Sequence, residues 1–243
     1  MLEIACLVEA GIKAPKNDDR AAVNAERISE GAYTERCEKK GVFVVCDGVG
    51  GEAFGYEAAE IATSIFSDIS NTELTIELIK ENVKKTNEAI LSAQKKDITR
   101  SRMSTTIAGV YINGNDFIAF NVGDSRIYRY RSPYIMQLST DHSVWQEQLD
   151  LGLKPKPEHR NMITHYLGGT SYKPAIVNGK NKLFENDIFI ICSDGVWDLL
   201  DFSDFENALS SDKPLNDTCK YLIDLALQKG SNDNLSIIIV RRI

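Results

Sequence analysis

Several aspartates of this sequence stand where an apolar, strand-like run meets a loop. Gly48, Gly123 and Gly195 adjoin three of them, and glycine lets the backbone turn sharply and lets a ligand approach it closely. If the strand ends converge, the carboxylates repel one another unless cations neutralise them. A site made only of oxygen donors selects hard cations such as Mg²⁺, Mn²⁺ or Ca²⁺. The aspartates are Asp47, Asp124, Asp194 and Asp233, with Asp18 and Asp19 before a further short run.

Each of these aspartates also has a simpler interpretation, because Asp-Gly is a common turn dipeptide. Two similar strings argue against that interpretation for the whole set. Residues 44–50 read Val-Val-Cys-Asp-Gly-Val-Gly, and residues 190–197 read Ile-Ile-Cys-Ser-Asp-Gly-Val-Trp. The recurrence of an apolar run and a cysteine shortly before Asp-Gly favours a shared role for Asp47 and Asp194.

Other catalytic chemistries have little support in the sequence. A catalytic zinc site needs His or Cys ligands at suitable spacing, and the three histidines, His142, His159 and His165, form no H-E-x-x-H motif. No G-x-S-x-G string follows a strand, so a serine hydrolase triad is not indicated. The stretch 48–51 before a helical segment lacks both the lysine of a P-loop and the spacing of a dinucleotide-binding loop.

The composition is that of an ordinary globular protein. The chain has 243 residues, 43% of them apolar and 26% charged, which is enough to bury a core without disulfides. Its net charge of −7 argues against binding to nucleic acid or to a membrane surface. The five cysteines have no C-x-x-C spacing, which favours buried thiols in a reducing compartment. Because the sequence has no signal peptide and no apolar run of about 20 residues, we expect a cytoplasmic protein.

The pattern of apolar residues predicts many strands and three longer helices. Helical spacing is found in three segments, 53–69, 72–96 and about 214–229. Strands that follow one another without intervening helices favour antiparallel sheets, and Asn113-Gly114-Asn115 indicates a hairpin between two of them. The strand-like runs cover 3–8, 20–24, 41–46, 104–112, 116–122, 126–130, 187–192 and 234–241.

No stretch resembles a linker or a low-complexity segment, so we expect a single domain over 1–243. Residues 142–172 differ from the rest, because Lys154-Pro155-Lys156-Pro157-Glu158 interrupts any regular element. We interpret 142–172 as a flap-like surface segment. Its His159 and Arg160 have two interpretations, as substrate contacts or as ordinary polar residues of an exposed loop.

Eight short strings, taken in order, resemble the metal-dependent protein phosphatase family (PPM, type 2C) in its compact bacterial form. Each is weak alone, but together they span nearly the whole chain in the family's order. The resemblance implies an α+β fold, a four-layer α/β/β/α sandwich of two antiparallel sheets flanked by helices. The strings are Asn-Asp-Asp-Arg at 17–20, Val-Cys-Asp-Gly-Val-Gly-Gly at 45–51, Ser-Thr-Thr at 104–106, Val-Gly-Asp-Ser-Arg at 122–126, Thr-Asp-His-Ser at 140–143, Leu-Gly-Gly at 167–169, Cys-Ser-Asp-Gly-Val-Trp-Asp at 192–198 and Ser-Asn-Asp-Asn-Leu-Ser at 231–236.

The resemblance also implies roles for individual residues. Asp47 bridges two ions, Mn²⁺ or Mg²⁺, and the Gly48 carbonyl binds one of them. Asp194 and Asp233 bind the other, which makes the three aspartates the catalytic set. Asp124, together with Asp194, matches the position that holds a weaker third ion in bacterial relatives. A hydroxide activated by the metals then hydrolyses phosphoserine or phosphothreonine in line, without a covalent intermediate.

Two departures from the family pattern concern the substrate and the surroundings of the ions. Asp18 and Asp19 are expected to hold metal-bound waters, and Asp18 replaces the more usual Glu. Ala14 stands where relatives carry the arginine that grips the substrate phosphate. Lys13 or Lys16 could substitute as a point charge, but not as a bidentate fork.

The resemblance implies a phosphorylated protein as substrate, and a Ser/Thr kinase or its targets as functional partners. Nucleic acid and membranes are not expected partners, and we expect a monomer. Two other functions remain open at this stage: a non-catalytic PPM-fold regulatory or binding module, and a hydrolase of small phosphorylated metabolites. The presence of all four metal aspartates argues against the first of these alternatives.

Overall fold

The structure is a computed structural model, and it describes residues 1–12, 16–49, 54–170, 172–178, 182–211 and 213–243. Two six-stranded sheets form its centre, and neighbouring strands in both sheets are antiparallel. Sheet 1 consists, in spatial order, of β11 (Tyr134–Gln137), β10 (Arg126–Arg131), β13 (Ile188–Cys192), β14 (Leu235–Arg242), β1 (Leu2–Glu9) and β4 (Gly31–Cys37). Sheet 2 consists of β12 (Ala175–Asn178), β9 (Asp116–Val122), β8 (Ile107–Asn113), β5 (Lys40–Cys46), β2 (Arg20–Val23) and β3 (Glu26–Ile28), and a separate two-stranded ribbon consists of β6 (Gly48–Val49) and β7 (Ser104–Thr105).

Helices cover the outer face of each sheet, which gives the order α/β/β/α. The helices on sheet 2 are α1 (Gly55–Asp68) and α2 (Ile76–Lys96), and those on sheet 1 are α4 (Asp194–Trp197), α5 (Phe202–Leu209) and α6 (Leu215–Gln228). The segment 142–172 contains the short helix α3 (Val144–Asp150) and a 3₁₀ turn at Pro157–His159, and a second 3₁₀ turn, Ile98–Arg100, follows α2.

The central strands bury both of their faces. In β5, Phe43 and Val45 lie between the sheets, while Val42, Val44 and Cys46 pack against α1 and α2. Full burial of an apolar side chain of this size contributes roughly 1.5–3 kcal/mol, and a one-residue slip would exchange the two faces, so packing fixes where β5 ends. The same holds for β13, whose end leads into α4. Packing therefore sets the positions at which the aspartates leave both sheets.

The four-layer architecture predicted from the sequence is confirmed, with changes in several bounds. The single strand predicted at 104–112 is two strands, because Thr106 leaves the ladder and donates its N–H to the carbonyl of Asp47. The helix predicted at 72–96 begins at Ile76, because the Thr75 hydroxyl accepts the N–H of Leu78 and caps it. Strand β4 was not predicted, since its residues alternate between half-buried and exposed at a sheet edge.

Within the described ranges, none of the helices has the length and apolar character that a bilayer span requires.

Candidate metal centre

Asp47 is held by its backbone at the end of β5. Its N–H donates to the Thr106 hydroxyl (3.1 Å), and its carbonyl accepts from the Thr106 N–H and the Thr105 hydroxyl (2.8 Å each). The Thr106 hydroxyl also lies 2.7 Å from that of Ser125, which is fully buried. These hydrogen bonds hold the backbone of Asp47 in place. Its carboxylate is therefore not needed to anchor the residue.

Gly48 lies where the backbone must come very close to its neighbours. A Cβ at this position would stand 2.4 Å from the carbonyl carbon of Gly55 and 2.6 Å from the carbonyl oxygen of Asp18. Only glycine fits between these two segments. The Asp18 carboxylate in turn accepts the N–H of Tyr56, in the first turn of α1. Asp18, Gly48 and the start of α1 therefore form one packed unit.

Asp194 begins α4 directly after β13, and its carboxyl lies within hydrogen-bonding reach of that of Asp47. Ser193, one residue earlier, donates its hydroxyl hydrogen to the buried carboxylate of Asp19 (2.7 Å) and accepts the N–H of Ser236 (3.0 Å). This serine joins the start of β2 to sheet 1. The two sheets thus bring Asp19, Asp47 and Asp194 to one place.

Asp124 follows Gly123, whose φ of +107° is readily adopted only by glycine. Asp124 is 2% exposed, and its Oδ1 has no hydrogen-bond partner among the residues that the structure describes. Gly123 is held by His142, whose Nδ1 accepts the Gly123 N–H (3.0 Å) and whose own N–H donates to the Gly123 carbonyl (3.0 Å). His142 therefore fastens the turn that carries Asp124, and the cap of α3 is the next residue, Ser143.

Asp233 lies on the turn before β14 and is the most open of the predicted ligands. Its Oδ1 accepts the N–H of Asn234 (2.8 Å). Its charge acts on Asp19, Asp47 and Asp194, which places it beside the same group. All four predicted metal aspartates and Asp19 are therefore close enough to influence one another.

Burial and mutual repulsion make this group of carboxyls unfavourable as anions. Burial, followed by the charges of Asp194 and other aspartates, raises the pKa of Asp47 well above its ordinary value. Burial is also the main cause that raises the pKa of Asp19 to about 7, of Asp124 to about 8 and of Asp194 to about 6. Like charges forced together in a buried place must be protonated or neutralised by cations.

The donors fit divalent hard cations. The set is entirely oxygen, and one buried carboxylate oxygen of Asp124 has no partner within the described ranges. In the described part of the chain no three His, Cys, Asp or Glu side chains close into a finished cage for one ion. The carboxyls act on one another across the group instead, and those of Asp47 and Asp194 are close enough to interact directly. A site that shares ions between pairs of carboxylates is consistent with both observations.

The segment 142–172 reaches this centre through Arg160. Its guanidinium forms an ion pair with Asp198 (2.7 Å), donates to the Asp198 carbonyl (3.1 Å) and lies 5.9 Å from the ring centre of Trp197. His159, in contrast, is paired with Gln148 inside the segment (2.8 Å). A polar groove of about 380 Å³ runs beside the centre, and it is lined by Asn161, Asp194, Gly195, Asp198, Leu199 and residues 230–233.

A second guanidinium, that of Arg126, also packs against α4. Arg126 makes a bidentate pair with Asp141 (2.6 Å and 3.0 Å) and stacks on Trp197, 3.3 Å from its ring centre. Because Trp197 closes the helix that Asp194 opens, this stack fixes the other end of α4.

The predicted phosphate-binding positions are only partly described. Lys13 and Ala14 lie outside the described residues. Lys16 is exposed, and its Nζ lies 5.7 Å from the centre of the Tyr56 ring, next to the unit of Asp18 and Gly48.

Several residues that support the centre were not assigned a role from the sequence. Their position inside the eight strings that resemble the family was the only signal available for them. They are Thr105, Thr106, Ser193 and Asn234. Their partners lie far away along the chain, so the packing of the two sheets had to be known before the contacts could be named.

Comparison with known proteins agrees with this geometry. Residues 31–238 match the family described as protein phosphatase 2C. The serine/threonine phosphatase stp of Listeria innocua is 27% identical, with 92% of this chain and 93% of that protein covered. Two solved structures have a TM-score of 0.83: an S. agalactiae serine/threonine phosphatase, 26% identical with both chains covered completely, and the catalytic domain of PstP in complex with two manganese ions, 23% identical with 99% of each chain covered. The fold and the family match together define a phosphatase 2C sandwich. The chain belongs to the protein phosphatase 2C family.

Proposed function

We propose that this chain is a metal-dependent protein serine/threonine phosphatase. The observation that carries the proposal is the contact between the Asp47 and Asp194 carboxyls, inside a group of five mutually repelling aspartates. Membership of the protein phosphatase 2C family and the similarity to bacterial serine/threonine phosphatases support the same function. The manganese in the PstP structure supports Mn²⁺ as the cofactor, and the oxygen donors would also accept Mg²⁺.

The ligand set that we propose is the one that the family resemblance implies, and the proximity of Asp47 and Asp194 supports it. Asp47 would be shared by two ions, one of which also takes the Gly48 carbonyl. Asp194 and Asp233 would hold the other ion, and the unpaired oxygen of Asp124 would contribute, with Asp194, to a third. When bound, divalent ions of this kind supply a water with a lowered pKa and offset charge on the phosphoryl oxygens.

The remaining residues position these groups. Asp19 is fixed by Ser193, and Asp18 by the N–H of Tyr56, so both carboxylates can orient waters around the ligands. Lys16, near Tyr56 and the unit of Asp18 and Gly48, would attract the substrate phosphate as a point charge. The polar groove between Asn161 and residues 230–233 offers room for the protein chain beside the phosphorylated residue. Arg160 would border that groove while paired with Asp198.

The proposal is tested with p-nitrophenyl phosphate. The purified chain, stripped with chelator, should show no turnover until Mn²⁺ or Mg²⁺ is added. A chain without turnover at saturating Mn²⁺ would be a non-catalytic module. Phosphopeptides and sugar phosphates are then compared at equal concentration. Higher kcat/KM for phosphoserine and phosphothreonine peptides supports the proposal, whereas preference for sugar phosphates would identify a metabolite hydrolase.

We extend the proposal to the setting of the enzyme. The chain would act as one catalytic domain with 142–172 as its flap, as a monomer and in the cytoplasm, opposing a Ser/Thr kinase. The five cysteines are all free, and four of them are buried, which suits a reducing compartment.

A further inference from the structure

The side-chain amide of Asn234 joins two separate parts of the chain. Its Oδ1 accepts the N–H of Asp18 (2.9 Å), and its Nδ2 donates to the carbonyls of Ala10 (2.5 Å) and Lys16 (3.2 Å). Asn234 is 6% exposed, so few waters could replace these bonds. Both N–H groups and the oxygen of the Asn234 amide therefore bond to Ala10, Lys16 and Asp18.

The residues on either side of this amide belong to the candidate metal centre. The backbone N–H of Asn234 donates to the Asp233 carboxylate (2.8 Å). A Cβ at Gly195 would stand 2.0 Å from the Asn234 carbonyl oxygen, so the start of α4 lies directly against Asn234. The backbone of Asn234 thus contacts the predicted ligand Asp233 and also Gly195, the residue after the predicted ligand Asp194. Its side chain bonds to a third part of the chain, at Ala10, Lys16 and Asp18.

Gly11 also packs tightly beside the predicted ligand Asp233. Gly11 has a φ of +76°, and a Cβ there would stand 2.1 Å from the Asp233 carbonyl oxygen. The backbone of Gly11 therefore lies directly against Asp233, while Asn234 bonds to Ala10, Lys16 and Asp18.

We propose that Asn234 is a positioning residue, whose side-chain amide holds Ala10, Lys16 and Asp18 beside Asp233 for the binding of substrate phosphate. This inference rests on the proposed phosphatase function. The segment carries Lys16, the candidate phosphate contact, and Asp18, the candidate carrier of ordered water. Asn234 is the one described side chain that bonds to both ends of this segment and is also adjacent to a predicted ligand.

The consequence is a specific kinetic pattern. Loss of the amide leaves the N–H of Asp18 and the carbonyls of Ala10 and Lys16 without their partner, and the segment moves away from Asp233. Asp47 keeps its backbone bond to Thr106, Asp194 keeps its place at the start of α4, and the carboxylate of Asp233 still accepts the backbone N–H of residue 234. Asn234→Ala should therefore raise KM for p-nitrophenyl phosphate, and the inhibition constant of inorganic phosphate, about tenfold, since a buried polar group left unpaired has an effect of this order. The value of kcat at saturating Mn²⁺ should change less than about threefold.

Hydrogen–deuterium exchange of the metal-free protein gives a readout that does not depend on activity. Peptides covering 10–19 should exchange faster in Asn234→Ala than in the wild type, while peptides from β5 and β13 remain unchanged. The matched control is Asn24→Gly, because Asn24 also bridges with both ends of its amide, accepting from Val42 (3.1 Å) and donating to Glu35 (3.2 Å), but away from the centre. Glycine suits its φ of 55°. This control should lower Tm without a change in KM.

Two results would overturn the inference: unchanged exchange over 10–19 in Asn234→Ala, or a fall in kcat with KM unchanged. Should Asn234→Ala fail to fold, Gly11→Ala tests the same idea, because its Cβ forces the segment off Asp233 while Asn234 is kept. It should reproduce the rise in KM, and an unchanged KM in a folded Gly11→Ala variant counts against the inference. If the wild type has no phosphatase activity, the proposed function fails, and the exchange experiment still decides whether Asn234 holds the segment.

Discussion

The carboxyls of Asp47 and Asp194 lie within hydrogen-bonding reach of each other although they leave different sheets. Asp47 follows β5 of sheet 2, and Asp194 follows β13 of sheet 1. Two carboxyls in such contact share either a proton or a cation, and burial raises the pKa of both. This pair of carboxyls, one from each sheet, is the centre of the proposed metal site.

Asp194→Asn tests that pair directly. The amide keeps the size of the side chain but lacks the charge. We expect activity with Mn²⁺ to fall at least about a hundredfold, because loss of a metal ligand should lower activity at least as much as loss of a residue that supports a ligand. The metal-free variant should fold as the wild type does, with an equal or higher Tm, because a repelling charge is removed. Asp217→Asn, at an exposed position of α6, is the control that should retain full activity. A variant at Asp194 with wild-type kcat/KM would contradict the ligand assignment.

Thr106→Val tests the anchoring of Asp47. Valine has nearly the same shape but cannot accept the Asp47 N–H or bond to Ser125. We expect a loss of about 1–3 kcal/mol in the free energy of unfolding, and Mn²⁺ affinity lowered about 10- to 100-fold. Denaturant titration and calorimetry with Mn²⁺ measure the two effects. Thr218→Val removes a hydroxyl that donates to the carbonyl of Pro214, the residue before α6, and it should affect stability alone. Unchanged Mn²⁺ affinity in Thr106→Val would mean that the Thr106 hydroxyl does not position Asp47.

His142 predicts a pH dependence of stability. Burial, followed by the nearby charge of His165, lowers the pKa of His142 to about 4. Its Nδ1 can accept the Gly123 N–H only while the ring is neutral. A lowered pKa means that the stabilisation is fully present above about pH 6.5, the ordinary value, and is lost as the pH falls toward 4.

Two variants separate the His142 hydrogen bond from its titration. His142→Phe should be less stable than the wild type by about 1 kcal/mol at pH 7, and this difference should shrink toward pH 4. His142→Asn can still accept the Gly123 N–H and should keep its stability relative to the wild type better at acid pH. Thermal unfolding between pH 4 and 7.5 provides the measurement. A difference between wild type and His142→Phe that stays constant over this range would show that His142 does not titrate as expected.

The ion pair of Arg160 and Asp198 separates the two interpretations of the flap. If Arg160 acts by holding the segment 142–172 against α4, Arg160→Ala and Asp198→Asn should raise KM for a phosphopeptide by the same factor, about threefold to tenfold. Stability should change by no more than about 1 kcal/mol, because the pair is half exposed. If Arg160 contacts the substrate itself, only Arg160→Ala should raise KM. His159→Ala is the control, since His159 is paired with Gln148 within the flap.

The positions of the aspartates could be predicted from the sequence because their neighbours are so regular. A buried strand of β-branched and apolar residues must end where a charge and a glycine follow, as at Asp47 and Asp194. The sequence also contained enough recognised strings for the layered fold to be expected. The roles of these residues as metal ligands stay predictions until an ion is observed or measured.

The supporting contacts could not be predicted in the same way. Asn234 and Ala10, or Ser193 and Asp19, meet only because the sheets stack face to face, and no periodicity within either segment indicates the partner. The pairing of Arg160 with Asp198 was missed for the same reason. The edge strand β4 was missed because its exposed side chains are polar, so it lacks the apolar run that marks the central strands.

The position of β14 in the fold has a consequence for how the protein is made. β14 lies between β13 and β1 in sheet 1, and Asp233 immediately precedes it, yet it is synthesised after all the other strands that the structure describes. A nascent chain that lacks β14 has neither a continuous sheet 1 nor the fourth of the predicted metal aspartates. Maturation of the catalytic centre is thereby postponed until translation of the strand is finished, and truncated products of synthesis should be inert toward phosphoproteins.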